Sequence, residues 1–157
     1  MKRWLDLILE TYPPETANFF KKQDDPFTNP VGQTILQGID GVFNEILDGA
    51  GPENAAAFLE KVIKVTAVQD FTASQAISFV FLLKRAVREE LKDEINRDRL
   101  HEDLLMLNDR IDELALIAFD MYMKSREKIY ELKSNEIKNM TFRLLQRANL
   151  ICEVQQE

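Results

Sequence analysis

The segment AVQDFTASQAISFVFLLKRAVREEL, from Ala67 to Leu91, decides the fold class of this chain. It opens with a polar break, continues as the apolar run AISFVFLL and ends densely charged. Thr72 and Gln75 have the spacing of a capping box, a pair of reciprocal hydrogen bonds at a helix start. A strand would alternate apolar and polar residues or end sooner. We therefore predict a central helix that is buried on every side in its first half and solvated in its second.

Helix breakers are confined to the first third of the chain. All five prolines and all five glycines lie within residues 1–52 of the 157. The long remainder contains neither, which predicts long helices joined by few turns. Asn29 followed by Pro30 marks another helix start, because asparagine caps free amides and proline fits the first helical position. These signals predict an all-α fold, a single domain of about six helices.

The last third of the chain predicts one very long helix. A helix from Asp98 to Leu150 would measure about 80 Å, whereas a compact domain of this size has a diameter of roughly 40 Å. The helix must therefore bend around Tyr122 to Arg126 or leave the globule. Its first half carries apolar residues at alternating steps of four and three, a heptad pattern: Leu100, Leu104, Leu107, Ile111, Leu114, Ala118 and Met121.

The part of this helix beyond residue 125 predicts an interface. Apolar residues resume there after a gap, at Ile129, Leu132, Ile137, Met140, Leu144 and Ile151. A protruding helix with an apolar face calls for a partner, so we expect a homodimer built on this face. The expected organisation is a helical body over residues 1–125 and a dimerisation helix of the same domain over residues 126–157.

Composition excludes several classes of protein. The formal net charge of −7 and the isoelectric point near 4.9 argue against a nucleic-acid-binding surface, which needs a clustered basic face. Cys152 is the single cysteine, so the chain has no intrachain disulfide and no thiolate metal cluster. The apolar N-terminal stretch is interrupted by Asp6 and Glu10, which makes it too short for a signal peptide or a membrane span. We expect a cytoplasmic protein with no nucleic-acid partner and no membrane insertion.

The sequence offers no chemistry that would predict an enzyme. It contains no glycine-rich phosphate loop, no nucleophile elbow and no spacing of histidine, cysteine and glutamate that suits a metal. His101 is the only histidine, and its charged neighbours indicate an exposed helix start rather than a haem ligand. We expect no catalytic residues, no cofactor and no metal.

Aromatic residues leave one alternative function open. Phe79, Phe81 and Phe119 are expected on buried helix faces. Leu116 and Ile117 are expected to share a second buried face with Phe119. Phenylalanines at such spacings usually form plain core, but these three also define a candidate apolar pocket. The alternative is therefore a binding protein for a small apolar ligand in a helical pocket.

Four blocks of sequence, in chain order, resemble the RsbRD N-terminal domain family. Members of this family are sensor or input domains of RsbT co-antagonists, which belong to stressosome-type regulators of bacterial stress. The blocks span most of the chain: DPFTNPVG (Asp25–Gly32), VQDFTASQAISFVFLLKRAVREEL (Val68–Leu91), RIDELALIAFDMY (Arg110–Tyr122) and REKIYELKSNEIK (Arg126–Lys138).

The resemblance implies a fold and a mode of action. It implies an all-helical, non-haem, globin-like input domain over residues 1–125, with residues 126–157 as the exit helix that carries a change to a partner. Such domains dimerise and usually precede an anti-sigma-antagonist or histidine-kinase output module, whereas we expect this chain to act without one. No catalytic residues are established for the family. The expected function is thus a sensor in signal transduction that acts by protein–protein interaction.

Overall fold

The computed structural model describes residues 1–22, 27–49, 51–69, 71–95 and 100–148, apart from the side chains of residues 21, 22, 52, 93 and 95. These residues form helices and no strand, so the all-α prediction is confirmed. Six helices of eight or more residues and one four-residue helix follow each other in the order Lys2–Leu9 (α1), Pro14–Lys22 (α2), Pro30–Leu47 (α3), Pro52–Val68 (α4), Ala73–Glu90 (α5), Lys92–Ile95 (α6) and His101–Arg147 (α7). Globin-like topology stays a prediction.

Local sequence sets the starts of α3 and α5 as predicted. The side-chain oxygen of Asn29 accepts from the backbone N–H of Gly32 at 2.9 Å, and Pro30 occupies the first turn of α3. At the start of α5, the Thr72 hydroxyl accepts from the Gln75 backbone N–H at 3.3 Å. The Gln75 side chain accepts from the Thr72 backbone N–H at 3.0 Å in return, so the predicted capping box is confirmed.

The core lies where α4 packs against α3 and α7, and where α5 packs against α7 and α1. α1 is anchored by Trp4, which is fully buried and donates its indole N–H to the backbone carbonyl of Phe79 at 2.7 Å. The rings of Trp4 and Phe79 are also stacked, with centroids 6.5 Å apart. A buried indole needs such a hydrogen-bond partner, so this pair fixes α1 against the first half of α5.

Two glycines allow α3 and α4 to approach closely. A Cβ atom added at Gly38 would collide with the Val62 side chain and lie 3.0 Å from the backbone carbonyl of Phe58, and one added at Gly41 would collide with the Phe58 ring. Glycine in the middle of a helix lowers its stability. Here that cost is offset by the contact between the two helices.

α5 is not buried on every side, contrary to the sequence-based expectation. Its buried residues form one stripe that continues into the second half of the helix: Ala76, Phe79, Val80, Leu83 and Ala86. Phe81 lies off this stripe and is 45% exposed. The apolar run AISFVFLL places apolar side chains all around the helix, but α1, α4 and α7 cover only part of its circumference.

α7 is one uninterrupted helix of 47 residues, about 70 Å long. It passes the expected boundary at residue 125 without a break, so of the two predicted outcomes the helix leaves the globule. Its contacts with the body end near Ile129, which is half-buried against the core. Residues 131–144 are all exposed.

Candidate interaction surface

An exposed apolar stripe, here called the α7 seam, runs along most of α7. Its members recur at steps of three and four residues, with Arg126 and Lys133 completing the repeat. Seven of the nine positions between residues 116 and 144 are apolar or aromatic, and all seven are exposed to solvent: Leu116, Phe119, Met123, Tyr130, Ile137, Met140 and Leu144. Four consecutive heptads of this kind are typical of a helix that pairs with another helix.

The seam is distinct from the face of α7 that packs on the body. The body-facing stripe consists of other residues, all buried: Ile111, Leu114, Ala115, Ala118 and Tyr122. The sequence pattern separated Leu116 and Phe119 as a second apolar face, but it predicted that this face is buried as well. The structure corrects this interpretation, since Leu116 is 69% exposed and Phe119 41% exposed.

Three polar contacts fix the orientation of α7 and therefore of the seam. The Tyr122 hydroxyl donates to the backbone carbonyl of Phe71 at 2.9 Å, and the Arg126 guanidinium donates to that of Ala67 at 3.1 Å. Further towards the N-terminus of α7, the Lys84 ammonium bonds both carboxylate oxygens of Asp112 at 2.7 Å. These contacts join α7 to α5 and to the corner between α4 and α5. The rotation of α7 about its axis is thus set by the body.

Of the six residues predicted as a partner face, three lie on the seam: Ile137, Met140 and Leu144. Ile129 is half-buried against the core instead. Leu132 is 58% exposed but occupies the line of Ala118, fourteen residues earlier, on the body-facing side. Ile151 lies outside the described residues. Whether the face binds a partner stays a prediction.

Sequence reasoning missed the half of the seam that lies on the body. The signal was present, because Leu116, Phe119 and Met123 keep the same heptad register as Tyr130 and Ile137. Only the structure shows that no helix of the described body covers these positions.

The three phenylalanines of the candidate pocket do not share one site. Phe79 is buried and borders a cavity of about 160 Å³ between α1, α3, α4 and α5. Phe81 and Phe119 lie on the surfaces of α5 and α7, so the expectation that they face the interior is wrong. α5 and α7 run antiparallel between the Lys84–Asp112 contact and the Tyr122–Phe71 contact. Phe81 therefore lies alongside the N-terminal part of the seam.

The polar groups around this cavity are already satisfied. The hydroxyls of Thr11, Thr66 and Ser78 each donate to the backbone carbonyl three residues earlier, at 2.7, 3.0 and 2.8 Å. The Tyr12 hydroxyl lies 3.5 Å from the Gln69 side-chain oxygen, and burial raises the pKa of Tyr12. Among the described residues, no buried side-chain nitrogen or oxygen lacks a partner. The cavity thus offers apolar surface and few free hydrogen-bonding groups.

An exposed ion-pair group links α1 to α5 on another side of the body. The Arg3 guanidinium donates to the carboxylate of Glu89, which also accepts from Arg85 at 2.7 Å. The hydrogen bonds from Arg3 and then Arg85 lower the pKa of Glu89, and the bond to Glu89 raises the pKa of Arg3. Because these groups are open to solvent, the pairs orient the two helices more than they stabilise them.

The described part of the chain shows no grouping of side chains suited to a metal ion. His101 is exposed at the first residue of α7. Within the described ranges, no helix combines the length and the apolar character that a membrane span requires.

Comparison with known proteins supplies the family. Residues 1–137 match the profile of the family described as the RsbT co-antagonist protein rsbRD N-terminal domain. The match covers the whole body and the seam as far as Ile137. No match was found among curated proteins or among solved structures. On the strength of the family match, this chain belongs to the RsbT co-antagonist protein rsbRD N-terminal domain family.

Proposed function

We propose that the chain is a regulatory sensor or input domain of a stressosome-type system, and that it acts through protein–protein interaction at the α7 seam. The observation that carries this proposal is the exposure of a regular heptad stripe along four heptads of one helix. Family membership supports the regulatory role. The chain works without catalysis and in the cytoplasm.

The first partner of the seam is a second copy of the chain. A helix with apolar residues at three- and four-residue spacing packs best against a helix with the same spacing, and a second copy supplies one. An isolated helix with this much exposed apolar surface has low solubility by itself. The homodimer covers Leu116, Met123, Ile137 and Leu144 along its central line.

The body can control the seam because α7 carries both the residues that contact the body and the residues of the seam. Tyr122 and Arg126 tie α7 to the backbone at Phe71 and Ala67, close to the corner between α4 and α5. A rearrangement at this corner therefore rotates or shifts α7 as a unit and moves every seam position beyond it. Such a movement would change how the two copies pair, which is a signal that a partner can detect.

Truncation tests the proposal. A chain that ends after Glu131 retains Arg126 and Ile129, which contact the body, and loses Ile137, Met140 and Leu144. We expect it to unfold in one cooperative transition, at a melting temperature lowered only by the loss of dimerisation. It should elute as a monomer in size-exclusion chromatography with light scattering, at concentrations where the full chain is a dimer. A truncated chain that dimerises as strongly as the full chain would place the interface elsewhere.

The cavity beside Phe79 supports a second candidate function, the binding of a small apolar ligand. Its volume of about 160 Å³ is similar to that of engineered apolar cavities that accept benzene. If the site binds such compounds, benzene in large excess over its dissociation constant raises the free energy of unfolding by about 2–3 kcal/mol. An unchanged melting temperature at saturating benzene would exclude this candidate.

A further inference from the structure

We infer that two copies of α7 pair in antiparallel orientation, with the acidic half of each helix against the basic half of the other. This inference rests on the proposed homodimer and adds its geometry. Its first basis is the charge pattern. Residues 101–120 carry six acidic residues and one basic residue, whereas residues 121–148 carry seven basic residues and three acidic ones.

The helix dipole does not account for this separation of charge. Acidic residues are favoured near the N-terminus of a helix and basic residues near its C-terminus, but only within the first and last turns. Glu102 and Asp103 fall in the first turn and Arg147 in the last. The other acidic side chains of the first half, from Asp109 to Asp120, lie well inside the helix. A 47-residue helix gains nothing from its dipole at those positions.

Parallel pairing would bring like charges together. In a parallel two-stranded arrangement, each seam position meets the same position of the second copy. Lys133 and Arg147 would each face themselves. So would Asp109, which continues the seam towards the N-terminus in the same register. Arg126 and Asp112 share this register, but the body already holds their charged groups through Ala67 and Lys84. Three repeats of self-contact between like charges disfavour the parallel orientation.

Antiparallel pairing matches both the apolar and the charged segments. With the centre of pairing near residue 130, Leu116 and Phe119 on one body then meet Leu144 and Met140 on the tail of the other copy, the tail being residues 130–147 of α7. Arg147 of each copy comes to the level of the acidic segment that begins at Asp109. Each tail thus covers the exposed apolar surface on the body of the other copy.

Phe81 gives this arrangement further support from a different helix. Its ring is 45% exposed on α5, alongside the body half of the seam, and the Lys84 ammonium lies 5.9 Å from its centroid. A tail that docks on Leu116 and Phe119 also lies next to this ring. The exposed aromatic surface of the body is therefore part of the same docking site.

Distance measurement between spin labels distinguishes the two orientations. In a Cys152→Ser background, Arg147→Cys carries a nitroxide near the end of α7. With the centre of pairing near residue 130, the two labels lie about 50 Å apart in the antiparallel dimer, since 34 residues rise 1.5 Å each. They lie about 10 Å apart, before the label linkers are added, in a parallel dimer. Glu131→Cys is the matched control, because it is exposed beside the seam rather than on it and its labels lie close together in both orientations.

The outcomes separate this inference from the proposed function. A distance near 50 Å for Arg147→Cys, with a short distance for Glu131→Cys, supports antiparallel pairing. Short distances for both overturn it and leave the homodimer standing. A protein that sediments as a monomer and shows no coupling between labels overturns both.

Salt dependence gives a second test that needs no variant. Attraction between acidic and basic halves weakens as the ionic strength rises, because salt screens exposed charges. The antiparallel dimer should therefore dissociate more readily in 0.5 M than in 0.05 M sodium chloride, roughly the range over which the screening length falls below 10 Å. A parallel dimer of like charges would associate more strongly at high salt, and that result would overturn the inference.

Discussion

Replacing Ile137 by alanine removes apolar surface from the middle of the tail half of the seam. Fully burying an isoleucine side chain is worth about 1.5–3 kcal/mol, and 64% of Ile137 is exposed in the single chain and open to burial by a partner. Each copy therefore loses about 1–2 kcal/mol of interface energy, and the symmetric dimer about 2–4 kcal/mol. The dissociation constant should rise by between about 30-fold and several hundred-fold.

Leu132 provides a matched control on the same helix. It is 58% exposed, close to the value for Ile137, but it lies in the register of the body-facing stripe rather than on the seam. Isothermal dilution calorimetry of both alanine variants compares the two faces directly. We expect Leu132→Ala to change the dissociation constant by no more than two- to threefold, on the order of a surface substitution. Equal weakening by both variants, or no effect of Ile137→Ala, would refute the assignment of the interface to the seam.

Three further predictions concern the body and are checked by denaturant or pH-dependent unfolding. In the monomeric chain truncated after Glu131, Phe79→Ala should lower the free energy of unfolding by about 3–5 kcal/mol because its ring is buried. Phe81→Ala should lower it by less than about 1 kcal/mol in the same background, and similar losses would contradict the burial pattern of α5. Gly38→Ala should lower the free energy of unfolding by about 1–3 kcal/mol because the new methyl group collides with α4, although alanine by itself favours a helix. A higher free energy of unfolding would mean that α3 and α4 separate easily. Arg3 lowers the pKa of Glu89, so the folded state gains stability above the ordinary glutamate pKa near 4.5 and loses it as the pH falls through the lowered value. Glu89→Gln should flatten this acid limb, and an unchanged limb would show that the pair is not formed in solution.

Sequence patterns predicted the helix starts because these depend on a few neighbouring residues. Asn29 before Pro30, and Thr72 three residues before Gln75, satisfy helix-end amides through local hydrogen bonds. The same local signals apply whatever the rest of the fold does. The long final helix was predicted for a similar reason, since residues 53–157 contain neither proline nor glycine.

Burial was harder to predict, because it depends on which elements surround a residue. Leu116, Phe119 and Phe81 are apolar enough for a core, and their spacing fits a helix face. Spacing alone does not distinguish a face covered by the same chain from one left for a second chain. In α7 the two faces overlap in sequence, because Leu114 and Ala118 of the buried stripe alternate with Leu116 and Phe119 of the seam. The two faces can be told apart only from the packing of α4 and α5, which cover the buried stripe and leave the seam exposed.

Sedimentation equilibrium of the unmodified chain tests the central claim most directly. The chain has a mass of 18.2 kDa, and a seam of four heptads should hold two copies together at ~20 µM, a concentration suited to micromolar or tighter dissociation constants. We predict a single species of twice the chain mass at that concentration. A mass of one chain throughout the concentration series would contradict the account.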